Sequence, residues 1–114
     1  MFKRSRLGIK VCRKNYLGEF VSCFEDGKKV EYKIGKWTKR PKDCGSLAVF
    51  DTIEHATEFV GNKWGIRYYF KCKYKPSKDV MWRPNRIKTL IIYKKHDIPI
   101  GTKYANKVKL VDFR

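Results

Sequence analysis

Carboxylates are scarce in this chain. Of 114 residues only 11 are Asp or Glu, against 28 Lys and Arg, so the formal net charge is +17. That shortage argues against a two-metal phosphodiesterase or nuclease centre, whose ligands are carboxylates placed where an anionic substrate docks. Long apolar runs are missing as well: no stretch has the length of a signal-peptide core or a membrane-spanning helix, and the expectation is a soluble cytoplasmic protein with no membrane partner. Cysteines at metal-ligand spacing are also lacking. Cys12, Cys23, Cys44 and Cys72 stand 11, 21 and 28 residues apart, which fits neither a zinc site nor a dense disulfide scaffold, so they read as reduced structural thiols. No segment repeats at a fixed period, and no low-complexity tract divides the sequence.

What is present is apolar and aromatic material for a core, 42% hydrophobic and 15% aromatic residues, so residues 1–114 are expected to form one folded basic domain. So many like charges on a small body repel one another, and a polyanionic partner relieves that repulsion. The charge is also uneven. Residues 1–18 hold six basic groups and no acid, and 63–95 hold eleven against Asp79, whereas 43–62 contain only Asp43, Asp51, Glu54 and Glu58. A one-sided positive potential with an acidic flank is expected.

Leu7, Ile9 and Val11 alternate with Arg6, Gly8 and Lys10, the period-two signature of a half-buried strand. A second strand is expected within Tyr16–Phe24, and a third over Val30–Ile34 after the turn signal Glu25-Asp26-Gly27. Leu47–Phe50 is a short apolar run. Asp51, with Glu54 three residues on, then reads as the cap of an amphipathic helix over about 52–60 that carries Ile53, Ala56, Phe59 and Val60 on one face and stops at Gly61. The clearest strand runs from Ile66 to Lys75, with Ile66, Tyr68, Phe70, Cys72 and Tyr74 on one side and Arg67, Tyr69, Lys71, Lys73 and Lys75 on the other. Further strands are expected over 89–93 and 108–113. The fold class is α+β: a mainly antiparallel, curved sheet of five to seven strands crossed by one principal helix.

Enzyme chemistry finds little support. His55 and His96 have no adjacent nucleophile in a recognisable arrangement, and Gly35-Lys36-Trp37-Thr38 lacks the upstream glycine spacing of a phosphate loop. The pattern predicts a non-enzymatic binder with no catalytic residues, cofactor or metal. Arg67, Tyr69, Lys71, Lys73 and Lys75 set cations about 7 Å apart along one strand face, a spacing that follows successive phosphates, with a ring among them that can stack a base. The bland alternative is a solvated face that keeps an exposed strand from aggregating. Two segments pair a tryptophan with cations and a proline: Lys36-Trp37-Thr38-Lys39-Arg40-Pro41-Lys42 and Met81-Trp82-Arg83-Pro84-Asn85-Arg86. Read as loops, they offer a base-stacking ring beside phosphate-binding groups. Otherwise each tryptophan plugs the core. The candidate contacts to nucleic acid or nucleotide are therefore Lys36, Trp37, Lys39, Arg40, Arg67, Tyr69, Lys71, Lys73, Lys75, Trp82, Arg83 and Arg86.

The order Tyr32-Lys33-Ile34-Gly35-Lys36-Trp37-Thr38, then Gly45-Ser46-Leu47-Ala48-Val49-Phe50-Asp51-Thr52-Ile53-Glu54-His55-Ala56, then Pro99-Ile100-Gly101-Thr102 resembles short uncharacterised proteins carried by bacteriophages. The resemblance implies a setting in the host cytoplasm and action against host defence, by binding a defence complex or sequestering a nucleotide signal. The leading expectation is a nucleic-acid binder, for RNA or DNA. Alternatives are a sponge for a small or cyclic nucleotide, formed at a homo-oligomer interface, and an inhibitor module docking on an acidic protein surface.

Overall fold

A computed structural model describes residues 4–22, 30–41, 45–61, 65–78, 82–84, 90–92 and 99–113, with the backbone path alone at 82–84 and 90–92. The alternating run at the start becomes β1 (Arg6–Lys14), followed by β2 (Phe20–Ser22), β3 (Glu31–Tyr32), β4 (Trp37–Lys39) and β5 (Leu47–Phe50). Helix α1 (Ile53–Val60) comes next, then β6 (Tyr68–Pro76), a hairpin of β7 (Trp82–Pro84) and β8 (Leu90–Ile92), and β9 (Thr102–Phe113). Seven of these strands form one antiparallel sheet, and β7 pairs β8 separately. The α+β expectation holds. Among the described residues no helix is long and apolar enough to cross a membrane.

The sheet closes on itself. β6 pairs β1 along one edge and β9 along the other, while β5 bridges β1 and β9 from the opposite side, so β1, β5, β9 and β6 make a four-strand barrel. Closure needs strong bending, and β9 supplies it. Its register with β6 shifts twice, leaving Val111 and Asn106 without a partner residue. An extra residue at such a bulge raises the local twist and turns the strand. β9 can thereby serve β5 with Thr102–Ala105 and β4 with Lys107–Lys109 along one edge while β6 holds the other.

The barrel interior is filled by Cys12, Tyr32, Leu47, Val49, Phe70, Cys72, Tyr74, Ala105, Val108 and Leu110, all buried. Phe20 and Phe113 stack edgewise and obliquely on Phe70, at centroid distances of 4.8 and 4.7 Å. Cys12 and Cys72 are reduced and buried, as expected of structural thiols, and burial pushes the Cys72 thiol up to about 12. Cys23 and Cys44 lie outside the described residues.

β1 is covered on both faces, which corrects the half-buried reading. Outward, Ile9 and Val11 meet Phe50 and, on the underside of the helix, Ala56; inward, Gly8, Lys10 and Cys12 face the barrel. A methyl group at Gly8 would stand 2.9 Å from the Phe50 carbonyl oxygen and 3.1 Å from the Tyr74 ring, so only glycine lets the strands approach. Lys10 is 3% exposed. Its Nζ donates to the Ala48 carbonyl at 2.7 Å and sits 4.9 Å from the Tyr32 ring centroid. β1 and β5 share a single register pair, Ile9 with Phe50, and this side-chain bond joins them again inside the barrel.

Three local expectations need correction. The stretch from Tyr16 is a turn before it is a strand. The Asn15 side-chain oxygen accepts from the Leu17 and Glu19 amides at 3.0 and 2.9 Å, Gly18 takes a positive φ, and Tyr16 ends 95% exposed. Trp37–Lys39 is a strand rather than a loop, because β9 offers it a free edge. The helix begins as expected but is capped by Thr52, whose hydroxyl accepts from the His55 amide at 3.1 Å; Asp51 instead binds His55 Nδ1 at 2.6 Å.

That pair makes the domain pH-sensitive. Its hydrogen bond to His55, with the nearby imidazolium charge, holds the Asp51 carboxyl below its ordinary 3.8, although Lys103 also contributes. The bond to Asp51, with the charges of Asp51, Glu58 and Glu54, raises His55 above its ordinary 6.5. A raised histidine stabilises fully below its unfolded value, and that contribution is lost as pH climbs through the raised value. A lowered carboxyl stabilises above its unfolded value, and its contribution is lost as pH falls through the lowered one. The pair therefore contributes fully between about pH 4 and 6.5. Thermal unfolding from pH 5 to 9 is expected to show Tm declining above neutrality, with the decline flattened in His55→Gln; an unchanged slope in that variant would contradict it.

Candidate functional site

Outer residues of neighbouring strands stand side by side, so the register lists what each row of the surface carries. One row runs Lys39 on β4, Lys107 on β9 and Lys75 on β6. The next runs Trp37, Lys109 and Lys73, and ends at Leu7 on β1. Val108 and Leu110 point inward and are buried, which sends Lys107 and Lys109 out. Trp37 is 38% exposed and shares that outer face, with the Lys107 and Lys109 Nζ atoms 5.0 and 6.0 Å from its ring centroid. The result is a lysine-lined surface around one indole.

Like charges directly opposite in a sheet destabilise it. Here Lys39 faces Lys107, Lys107 faces Lys75, and Lys109 faces Lys73. Among the described residues no carboxylate makes an ion pair with Lys39, Lys73, Lys107 or Lys109. One carboxylate borders the rows, Asp112 on β9 opposite Lys71. The other described acidic groups are elsewhere: Asp51, Glu54 and Glu58 on or beside the helix that covers β1 and β5, and Glu19 with Glu31 around the β2–β3 hairpin. The acidic helix α1 thus covers β1 and β5 while the lysine rows occupy β4, β9 and β6, with Lys71 and Lys103 standing beside Asp51 at the boundary.

The face proposed along 66–75 is not one surface. Lys73 and Lys75 join the rows. Lys71 instead lines a cleft of about 430 Å³ with Leu7, Ile9, Asp51, Thr52, Ile53 and Glu54 at the start of the helix. Tyr69 does not stand ready to stack a base: it is half-buried against Ile9, Val11, Phe50 and Ala56 beneath α1. The helix needs an apolar seat at that end of β6, and Tyr69 supplies part of it. Arg67 is half-buried, and its Nη1 donates to the Ile66 carbonyl at 3.5 Å.

Of the first tryptophan segment, Lys36 is exposed in the turn before β4 and Lys39 is exposed on it. Arg40 is half-buried and donates to Ser46 Oγ at 3.5 Å, away from the rows. Of the second, Trp82 and Arg83 belong to β7 rather than a loop, and Arg86 lies outside the described residues. His96 does too. The described residues hold no group of His, Cys, Asp and Glu fit to bind a metal ion.

Two contributors were missed by sequence reading. Lys107 and Lys109 alternate with Val108 and Leu110 as Lys71 and Lys73 alternate with Cys72 and Tyr74, and that period was the available signal. What it lacked was the pairing of β9 with both β4 and β6, which brings the lysines onto one face. Comparison with known proteins yields no match to this chain among family models, curated proteins or solved structures.

Proposed function

We propose that this protein is a non-enzymatic nucleic-acid-binding domain, with the outer face of β4, β9 and β6 as its contact surface. One observation carries the reading: three cross-strand registers set lysine against lysine around an exposed indole, and Lys39, Lys73, Lys107 and Lys109 have no ion-paired carboxylate among the described residues. Such a face is electrostatically incomplete until an anion arrives. Neighbouring strands lie about 4.8 Å apart and alternate residues about 7 Å apart, so the ammonium groups form a lattice on the scale of a phosphate backbone. A base stacked on Trp37 brings its flanking phosphates within reach of Lys107 and Lys109. Stacking needs an unpaired base, which favours a single strand over a duplex.

The test is fluorescence anisotropy with a labelled single-stranded oligonucleotide over a salt series. Each neutralised phosphate on a single strand contributes about −0.7 to the slope of log affinity against log salt, so four lysines predict a slope near −3. Trp37→Ala is expected to weaken binding at least about fivefold, as loss of one stacked base does, and Trp37→Phe to recover part of it. Absence of binding in low salt, or affinity indifferent to salt, would overturn the proposal.

A further inference from the structure

Beyond the lysine rows, the start of β1 and the end of β6 enclose a second cationic feature. A cleft of about 450 Å³ is lined by Arg4, Arg6, Pro76, Ser77 and Lys78. Among the described residues its lining holds three cations and no carboxylate, and Arg4, Arg6 and Lys78 are exposed. The floor is fixed in place. The Ser77 amide donates to the Tyr104 carbonyl at 3.0 Å, Ser46 Oγ donates to Ser77 Oγ at 2.7 Å, and the Asn106 side-chain amide donates to the Pro76 carbonyl at 3.3 Å. Ser77 follows Lys75 by two residues across the register shift at Lys75/Pro76, which sets the cleft beside the end of the lysine rows.

Its shape and charge differ from theirs. The rows lie on an open sheet face, whereas the cleft is a single concave space lined by Arg4, Arg6 and Lys78, with the Arg6 guanidinium also bonded to the Tyr74 hydroxyl. A phosphodiester passing through would bring one negative charge. A phosphomonoester brings close to two at neutral pH and three acceptor oxygens, which suits guanidinium forks and an ammonium point charge. We propose that this cleft seats a phosphomonoester, the terminal phosphate of a nucleic-acid strand whose body lies on the lysine face; the inference rests on the nucleic-acid reading above. The protein would then distinguish strand ends by their phosphorylation.

The experiment compares one oligonucleotide sequence carrying a 5′-phosphate, a 3′-phosphate, or hydroxyls at both ends. One of the phosphorylated forms is expected to bind about tenfold tighter than the hydroxyl form. In Arg4→Gln/Lys78→Gln that advantage should vanish while hydroxyl-ended binding stays within about twofold, and Tm reports that the variant is folded. Equal affinity for all three ends overturns the cleft proposal and leaves the nucleic-acid reading standing. If no oligonucleotide binds, that reading falls, and inorganic phosphate titrated against the Ser77 and Lys78 amide resonances decides the cleft alone. Saturable shifts that disappear in the double variant support it, and unmoved resonances overturn it.

Discussion

Replacing Lys73 by glutamate is expected to stabilise the free protein and cripple its binding in the same molecule. Lys73 faces Lys109 across β6 and β9, and Lys71 and Lys75 flank it along its own strand. A carboxylate at this position turns repulsions into attractions. Opposite-charge cross-strand pairs contribute about 0.2–1 kcal/mol each and like pairs cost similar amounts, so the net gain is about 1 kcal/mol. For a domain of this size that raises Tm by roughly 4 °C. An oligonucleotide on the same face meets a negative charge in place of a cation, and affinity in low salt should fall at least about tenfold. Lys73→Gln isolates the lost contact, and its salt slope should be shallower by about 0.7. A solvated face with no ligand predicts the stabilisation without the binding defect. Higher Tm with unchanged affinity would therefore remove Lys73 from the interface.

Lys10 behaves in the opposite sense, although it lies on the strand next to β6. Its ammonium is inside the barrel, bonded to Ala48 and beside Tyr32, so its role is structural. Lys10→Ala leaves a cavity and strips the Ala48 carbonyl of this donor. The expected cost is about 3 kcal/mol, or a Tm lower by about 10 °C or more. Lys10→Met keeps the volume of the stem and removes a charge that is expensive to bury. Its cost should be only about 1 kcal/mol, with the salt slope of oligonucleotide binding unchanged. Urea unfolding of the two variants checks this; equal, small losses would mean that the side chain is not part of the core.

The contrast between these lysines marks where sequence reading succeeds and where it stops. The alternation in β6 separates Phe70, Cys72 and Tyr74 from Lys71, Lys73 and Lys75, because a strand between wet and dry faces imposes period two. Ala56 on the buried face of the helix and Gly61 at its end were legible for the same local reason. Period two does not disclose whether a strand has a second cover, so Lys10 looked like a solvent residue and Tyr69 like a free ring. In β9 the unopposed residues Val111 and Asn106 each break the phase of the alternation. A strand of 12 residues therefore resembled one of about six, confined to 108–113. β4 has three residues and depends on the edge that β9 offers, a long-range fact that no local pattern encodes. The proposed binding face was thus only half visible: its β6 half follows from composition and period, and its β9 half follows from closure of the barrel.

The most direct measurement is an NMR titration of the full-length chain with a single-stranded oligonucleotide, following backbone amides. The account predicts salt-sensitive shifts concentrated at Trp37–Lys39, Lys73–Lys75 and Lys107–Lys109, with the amides of Ile53–Val60 on the acidic helix unmoved. Shifts centred on the helix, or spread evenly over the domain, would contradict it.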